Sequence, residues 1–341
     1  MRKISRKSLL NALVLIIIFI LTILSVFRGE DLGKVSDCLQ MANGYWLLPA
    51  VACVILFILG EAAVIHYLLR TLGNKVRFSH CSLYSFIGFF YSCITPSASG
   101  GQPMQVIAMH KDDIPAAVST VVLAIVTITY KLVLVFIGAM VMLLRPQEII
   151  FHLEGVDHLV YLGLALNIGC ITFLLMLVFC PGLVQTWAQR ILGWLGRLHV
   201  VRRPEKFRAR LDKAMNQYTG TAAYYSSHKI VILNVFMVTL AQRFVLFLVT
   251  WFAYKSFGLQ GDSLITIVVL QAMIAVVVDM LPVPGGMGAS ENLFMSIFLP
   301  IFGSTLVLPG MLISRGVSYY TQLLISAVMT VAAAFILRKH K

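Results

Sequence analysis

The sequence contains few charged residues. Of its 341 residues only 12% are Asp, Glu, Lys or Arg, whereas 59% are hydrophobic, and the mean hydropathy is +0.90. Ordinary soluble domains are about a quarter charged, and their charges form the surface, so a soluble single domain is excluded. The abundance of apolar residues also excludes intrinsic disorder. A polytopic α-helical membrane protein remains.

Cysteine is scarce as well, and the six cysteines include no Cys-x-x-Cys pair. This excludes a disulfide scaffold and gives no recognisable pattern of metal ligands. The chain also lacks a P-loop, an HExxH motif and a nucleophile elbow. We therefore predict no catalytic residue, no metal and no cofactor, and expect any transport to follow a gradient or run downhill.

Acidic residues are outnumbered, with 14 against 27 Lys and Arg, which gives a net charge of +13. In a soluble protein this excess would indicate a nucleic-acid partner. In a membrane protein the positive-inside bias and anionic lipid headgroups explain it, so we expect no nucleic-acid partner.

Long apolar runs are abundant. A spanning helix needs about 20 apolar residues, and six runs without a Gly/Pro break reach that length, at 8–27, 46–69, 116–144, 158–180, 230–254 and 311–337. The first run follows a basic N-terminus but precedes no small-x-small cleavage site. We interpret it as an anchor, not as a signal peptide.

Two further apolar segments, 81–110 and 263–302, are interrupted by proline and glycine, at TPSASGGQP and PVPGGMGASE. Both residue types break helices. Loops rich in Lys and Arg mark the cytoplasmic side of the plasma membrane and place both termini there. With that orientation, 81–110 must begin and end inside, whereas 263–302 must begin and end outside.

The order helix, broken hairpin, helix occurs twice, in repeat A (46–144) and repeat B (230–337), with opposite topologies. The predicted fold class is an all-α polytopic membrane protein. It has about six full spans and two re-entrant hairpins in an inverted repeat, within one membrane domain over 1–341. Such repeats are typical of transporters. The alternative is that Gly and Pro merely kink ordinary spans.

Six ionisable residues fall within the apolar segments, and each charge costs at least about 2.5–3.5 kcal/mol at such depth, so each should face a cavity or a partner. They are Glu61, Lys131, Arg243, Asp279, Glu291 and Arg315. They form either structural salt bridges or a polar path for a headgroup or ion. We favour the path, in which the acids receive a cationic headgroup and the bases hold phosphate.

The two breaks offer a second binding device. The free N–H groups at the start of a half-helix attract anions such as phosphate, and glycine lets a ligand approach the backbone. Asp279 and Glu291 flank the second break and could instead cap its half-helices. The predicted substrate-binding residues of the breaks are Ser97, Ser99, Gly100, Gly101, Gln102, Gly285 and Gly286.

The segment 181–229 is basic and amphipathic. Trp187, Ile191 and Trp194 recur at helical spacing among arginines. This pattern fits a helix that lies on the cytoplasmic lipid surface, and it fits a plain positive-inside loop equally well.

The pair of breaks, TPSASGGQP and PVPGGMGASE, resembles the transmembrane region of the lysylphosphatidylglycerol synthase/flippase family, which includes the multiple peptide resistance factor. The resemblance covers about 8–337. It implies a flippase-like fold that moves aminoacylated or other phospholipids between leaflets. The full resistance factor carries a soluble domain that transfers lysine from tRNA to phosphatidylglycerol. The sequence ends at Lys341, so we expect no such transfer from this chain alone.

The predicted function is therefore that of a phospholipid translocase, whose partners are anionic or aminoacylated membrane phospholipids. A membrane subunit or enzyme of lipid aminoacylation or of glycolipid transfer is the alternative. A third hypothesis is a non-transporting partner that recruits a separate synthase. The sequence leaves open a separate lipid synthase and a second copy of the chain as partners.

Overall fold

A computed structural model describes residues 40–95, 98–180, 182, 186, 190 and 204–337. These residues form helices and turns, without a strand among them. The all-α polytopic membrane architecture predicted from the sequence is confirmed. The predicted first span, 8–27, and the residues Trp187, Ile191 and Trp194 lie outside the described residues.

We number the helices of the described ranges in chain order. They are α1 (Gly44–Thr71), α2 (Phe78–Ile94), α3 (Gly101–His110), α4 (Ala116–Leu144), α5 (Gln147–Leu153), α6 (Asp157–Phe179), α7 (Pro204–Ser227), α8 (Lys229–Ser256), α9 (Leu264–Val278), α10 (Ala289–Arg315) and α11 (Gln322–Ile336). A 3-10 turn at Pro284–Gly286 precedes α10, and a π-helical turn at Gly316–Thr321 joins α10 to α11.

Five of these helical segments are long and apolar enough to cross a membrane, judged by length and composition within the described residues. They are α1, α4, α6, α8 and the stretch Ala289–Ile336. The apolar runs 46–69, 116–144, 158–180 and 230–254 each coincide with one helix to within a few residues. Run length alone therefore located these four helices.

The last predicted span differs from the structure. The sequence places it at 311–337, but the helix resumes directly after Gly303, whose φ of 73° and ψ of 165° interrupt α10. Glycine adopts a positive φ at little cost, so one residue suffices for this break. The segment then continues past Pro309 and through the π-helical turn into α11.

Helices α1 and α8 run antiparallel. At one end the backbone N–H of Asn43 donates to the carbonyl of Ser256 over 2.7 Å. At the other end the amide of Asn234 donates to the Tyr67 hydroxyl over 3.0 Å. The start of α1 therefore lies beside the end of α8, and the start of α8 lies near the end of α1.

The two ends of the first hairpin, α2 and α3, lie together. Asp112, which follows α3, has its carboxylate 2.7 Å from Nδ1 of His80 and accepts a hydrogen bond from the Tyr84 hydroxyl, both on α2. Phe78, at the start of α2, packs its ring against His66 near the end of α1. The first hairpin therefore opens at that end of the bundle.

The second hairpin, α9 and the first half of α10, has both ends beside the end of α8. The Tyr254 hydroxyl on α8 donates to Asp262 just before α9, over 3.2 Å. The Tyr254 ring also contacts Phe302, directly before the break in α10, with centroids 5.7 Å apart. Because α1 and α8 are antiparallel, the two hairpins open toward opposite ends of the bundle.

Helix α7 occupies part of the basic segment 181–229 and packs on the bundle. The buried Tyr225 donates to the carbonyl of Leu68 on α1, and Tyr218 donates to that of Leu177 on α6, each over 2.9 Å. This part of the segment is thus a helix fixed to α1 and α6. The lipid-surface hypothesis rests on residues outside the described ranges and stays a prediction.

A close contact between α6 and α9 gives the first testable prediction. A Cβ at Gly163 would lie 2.6 Å from the carbonyl oxygen of Val276. Because backbone cannot yield as a flexible side chain does, we expect Gly163→Ala to destabilise the protein by about 1–3 kcal/mol. Thermal unfolding of the purified protein in detergent measures this.

Gly169→Ala on the same helix is the matched control, because a Cβ there would meet nothing within 4 Å. It should be neutral or slightly stabilising, since Ala favours helices more than Gly does. Equal unfolding midpoints for the two variants would contradict the tight contact between α6 and α9.

Candidate functional site

A cavity of about 310 Å³ lies inside the bundle, where predicted repeats A and B meet. Helices α1, α2, α3, α4, α8 and α11 contribute to its wall, together with the residue that follows α9. Its polar lining includes Glu61, Gln102, Gln105, Lys131, Arg243 and Asp279. Burying charged and amide groups among apolar helices costs free energy unless these groups pair with each other or bind a ligand.

A second cavity of about 250 Å³ adjoins the first. Arg243 and Asp279 border both, and the second cavity extends to Gly285 and Gly286 in the second break. Arg243 therefore stands between the centre of the bundle and the second hairpin.

Lys131 and Asp279 form a buried ion pair, with side chains 8% and 12% exposed. The ammonium of Lys131 also donates to Oδ1 of Asn167 over 3.3 Å. The amide nitrogen of Asn167 in turn donates to the carbonyl of Val276 over 3.2 Å. The pair ties α4 to the end of α9, and Asn167 holds the Lys131 ammonium in place.

Arg315 and Glu291 form a second pair, 14% and 19% exposed. Nε of Arg315 donates to Glu291 over 2.9 Å, and a terminal guanidinium nitrogen donates to the carbonyl of Gly285 over 3.0 Å. Arg315 thus holds the backbone of the second break against the first turn of α10. Neither Arg315 nor Glu291 borders the two cavities.

Arg243 has no carboxylate in direct contact, although it interacts electrostatically with Glu61 in the wall of the same cavity. Its guanidinium carbon lies 3.7 Å from the centroid of the Tyr130 ring and 5.0 Å from that of Phe57. In the part of the chain that the structure describes, it has no carboxylate within 4.0 Å, and its buried Nε has no hydrogen-bond partner. The aromatic rings stabilise the cation without neutralising it, so its hydrogen-bonding capacity remains available in the cavity.

Glu61 lies in the same wall, on α1. Its Oε1 accepts a hydrogen bond from the amide of Gln105 over 2.7 Å. Gly88 gives Gln105 its room, since a Cβ at that position would collide with the Gln105 amide. Among the described residues no basic group lies within 4.0 Å of Glu61, so its charge is not neutralised by a direct ion pair.

The glycines of the breaks serve the packing of the chain on itself. Gly101 is buried, and a Cβ there would lie 2.7 Å from the carbonyl oxygen of Gly88, so its small size lets α2 and α3 touch. Gly285 and Gly286 have φ values of 57° and 66°, which favour glycine. A Cβ at Gly285 would also collide with the Tyr319 ring.

The structure brings some of the predicted site residues together and separates others. Ser99, Gly100 and Gly101 border neither cavity, and Ser97 lies outside the described residues. The predicted residues that line the first or the second cavity are Glu61, Gln102, Lys131, Arg243, Asp279, Gly285 and Gly286.

Sequence reasoning missed several uncharged residues of the site. Gln242 lines the cavity and donates to the carbonyl of Phe57 over 2.8 Å. Gln105, Tyr130, Asn167 and Gln322 were missed in the same way. For the four amides among these residues the available signal was a polar side chain inside an apolar helix, which is costly for the same reason as a charge.

Within the described ranges no group of three His, Cys, Asp or Glu side chains is placed to hold a metal ion. A protein-family model described as "Lysylphosphatidylglycerol synthase TM region" matches residues 9–326. This range contains both broken hairpins and every residue that borders the two cavities. No curated protein matches the chain.

Proposed function

We propose, because the chain belongs to the family of lysylphosphatidylglycerol synthase transmembrane regions, that it moves phospholipid headgroups between the two leaflets of the membrane. The family connects the chain with membrane lipids. The observation that carries the proposal is Arg243, a cation without an ion-pair partner among the described residues, in a cavity deep inside an apolar bundle.

The cavity offers a headgroup a polar place within the membrane. Its volume of about 310 Å³ lies at the lower end of the range of about 300–1,000 Å³ usual for small-molecule sites. The guanidinium of Arg243 binds the phosphate, while the acyl chains stay in lipid. A planar guanidinium suits this role, since it donates two parallel hydrogen bonds to a phosphate.

The two hairpins provide access in this proposal. They open toward opposite ends of the bundle, according to the contacts of Asp112 with His80 and of Tyr254 with Phe302. This arrangement supports re-entrant hairpins that enter from the two faces of the plasma membrane, in an inverted repeat with both termini cytoplasmic. Alternating exposure of a central site is the usual mechanism of such repeats.

The charged residues divide into two roles. The pairs Lys131–Asp279 and Arg315–Glu291 hold helices and the second break in place, as their mutual contacts support. Arg243 holds phosphate, and Glu61 accepts an ammonium group where the headgroup carries one. Of the three bases predicted to bind phosphate, Arg243 alone therefore has that role.

The direct test uses purified protein in vesicles that contain phosphatidylglycerol with a fluorescent headgroup. A quencher that cannot cross the membrane reaches only the outer leaflet. We expect the protein to make the inner-leaflet label accessible within minutes, whereas protein-free vesicles and vesicles with heat-unfolded protein retain it. Absence of acceleration with anionic, zwitterionic and aminoacylated lipids alike would refute the proposal.

A second candidate is a membrane subunit for lipid aminoacylation. The family description, which names a synthase, favours it. This candidate predicts that the chain binds a lipid-aminoacylating enzyme and raises the amount of aminoacylated lipid found by mass spectrometry. In vesicles the purified chain alone would then leave every labelled lipid in its leaflet.

A further inference from the structure

An apolar groove of about 310 Å³ lies on the lateral surface of the bundle, between α6, α9 and α10. Leucine and valine form most of its wall, and Leu162 and Leu166 are 55% and 42% exposed. Both leucines belong to α6, which is long and apolar enough to cross a membrane. The open side of the groove therefore faces lipid hydrocarbon.

The groove has the length of one leaflet. It extends along α6 from Val156 to Leu166. Ten helical residues correspond to about 15 Å, which is about half the hydrocarbon thickness of a bilayer. The next residue, Asn167, contacts Lys131 of the Lys131–Asp279 pair. One end of the groove therefore lies at the start of α6, and the deep end lies at the level of the polar cavities.

Leu281, which follows α9, borders both the groove and the second cavity. That cavity also contains Arg243 and Asp279 in its wall. A polar site with a cation and an apolar groove therefore lie on the two sides of one residue. A lipid distributes its polar and apolar parts in the same way. A transmembrane helix in the groove would instead close the cavity on this side.

Two polar residues of α10 line the groove, although its open side faces hydrocarbon. Asn292 and Ser296 are both exposed, and the Ser296 hydroxyl donates to the backbone carbonyl of Asn292 over 3.0 Å. The side-chain amide of Asn292 has no hydrogen-bond partner among the described residues. A polar group in an apolar environment is costly without a partner. The ester carbonyl of a lipid is a hydrogen-bond acceptor that can reach this amide.

We infer that the groove binds one acyl chain of a diacyl lipid whose headgroup occupies the cavity beyond Leu281, and that the Asn292 amide donates to the ester carbonyl of that chain. This inference rests on the proposed function, since it says where an acyl chain lies while the headgroup is inside the bundle. Asn292 is in the first turn of α10, next to the second break, so the ester lies at the deep end of the groove. In the proposed orientation the chain extends from there into the outer leaflet.

The test measures lipid binding to the full chain in detergent by native mass spectrometry. The probes are dioleoyl phosphatidylglycerol and its diether analogue, which lacks both ester carbonyls. We expect the diester to bind about 2- to 10-fold more tightly, as one hydrogen bond between neutral groups implies. Dioleoylglycerol, which has the same chains but no phosphate, should bind more weakly than phosphatidylglycerol because it leaves Arg243 without a ligand.

Four variants assign the effect. Asn292→Leu should remove the diester preference by weakening diester binding alone, and Ser296→Phe should weaken both probes by filling the groove. Leu281→Trp should lower the affinity for phosphatidylglycerol toward that for dioleoylglycerol and keep the ester preference, because it blocks the passage to Arg243. Thr172→Val, at an exposed hydroxyl of α6 outside the groove, is the matched control and should change neither. The thermal unfolding midpoint of each variant shows whether it is folded.

Equal affinities of the wild-type protein for diester and diether would overturn the inference, as would a preference that Asn292→Leu leaves unchanged. Unaltered phosphatidylglycerol binding by Leu281→Trp would contradict the passage. A wild-type dimer that Ser296→Phe dissociates, as measured by light scattering, would make the groove an interface between two copies of the chain. If the ester preference depends on Asn292 but vesicles show no lipid movement, the proposed translocation fails while the lipid site stands.

Discussion

Arg243→Gln is expected to slow phospholipid movement in vesicles by about 10- to 150-fold. Hydrogen bonds to charged groups contribute about 1.5–3 kcal/mol, and the substitution removes the phosphate partner at the centre of the cavity. Arg243→Lys should fall in between, because an ammonium keeps the charge but loses the planar contact with the Tyr130 ring at 3.7 Å. The initial rate at which the quencher gains access to inner-leaflet label is the measurement.

Stability should change little. The unpartnered Nε of Arg243 disfavours the folded state, whereas the Tyr130 ring and the charge of Glu61 stabilise the cation. The unfolding midpoint of Arg243→Gln should therefore lie close to that of the wild type. This combination of lost activity and retained stability is typical of residues kept for function.

Arg70→Gln is the matched control, since Arg70 is exposed near the end of α1. It should leave both the transport rate and the unfolding midpoint within error of the wild type. A transport rate for Arg243→Gln that matches this control would remove the main support for the proposed site. A large loss of stability in Arg243→Gln would assign Arg243 a structural role instead.

Asp279→Asn is expected to destabilise the protein by about 3–5 kcal/mol, the usual cost of removing one member of a buried ion pair. The substitution leaves the ammonium of Lys131 buried, with its side chain 8% exposed. Its remaining hydrogen-bond partners are uncharged, the Asn167 amide on α6 and the Met280 thioether. Lys131→Met should cost about as much by leaving the carboxylate of Asp279 alone. Unfolding in detergent, followed by the helical circular dichroism signal, measures both.

The double variant Lys131→Met/Asp279→Asn separates the ion pair from simple loss of packing. With neither charge present the penalty should fall well below the sum of the two single effects. Lys229→Met, at an exposed position at the start of α8, controls for the removal of a lysine as such. Additive effects of the two single substitutions would show that the pair contributes no coupling energy.

The sequence was informative about helices because a membrane imposes a length on them. Runs of about 20 apolar residues had to be spans, and Gly/Pro clusters had to be breaks, as the regions around Gly101 and Gly285 are. The break at Gly303 was missed because a single glycine in an apolar run also occurs inside regular helices. Gly303 differs from a helical glycine only in its backbone angles, with a φ of 73°, and these angles cannot be predicted from the residue type.

The charged residues of the site could be predicted for a related reason. A charge in hydrocarbon is costly, so it usually faces a partner or a polar cavity. Their pairing could not be predicted. Lys131 and Asp279 are 148 positions apart, and their contact depends on how α4 packs beside the end of α9. The distinction between Arg243 and the other two bases follows from that packing alone. That Arg243 lacks a carboxylate in direct contact can be recognised only in the folded structure, where the partners of Lys131 and Arg315 are known.

The role of the glycines was the least predictable feature. A glycine such as Gly101 is expected where a ligand approaches the backbone. Here the space that a side chain would fill is taken by the Gly88 carbonyl on the neighbouring helix. Glycine permits a ligand and a helix to approach equally well, so residue type cannot separate the two uses. The contact of the Arg243 guanidinium with Tyr130 was equally hidden, because tyrosine is common in apolar helices for packing alone.

One side chain reaches both interrupted hairpins. The Tyr319 hydroxyl in the π-helical turn donates to the carbonyl of Cys93, two residues before Thr95 and the first break, over 2.9 Å. The ring of Tyr319 lies against Gly285 in the second break and beneath the guanidinium of Arg315. A displacement of either break therefore disturbs the contacts of Tyr319 with the other, so this one side chain couples the conformations of the two breaks.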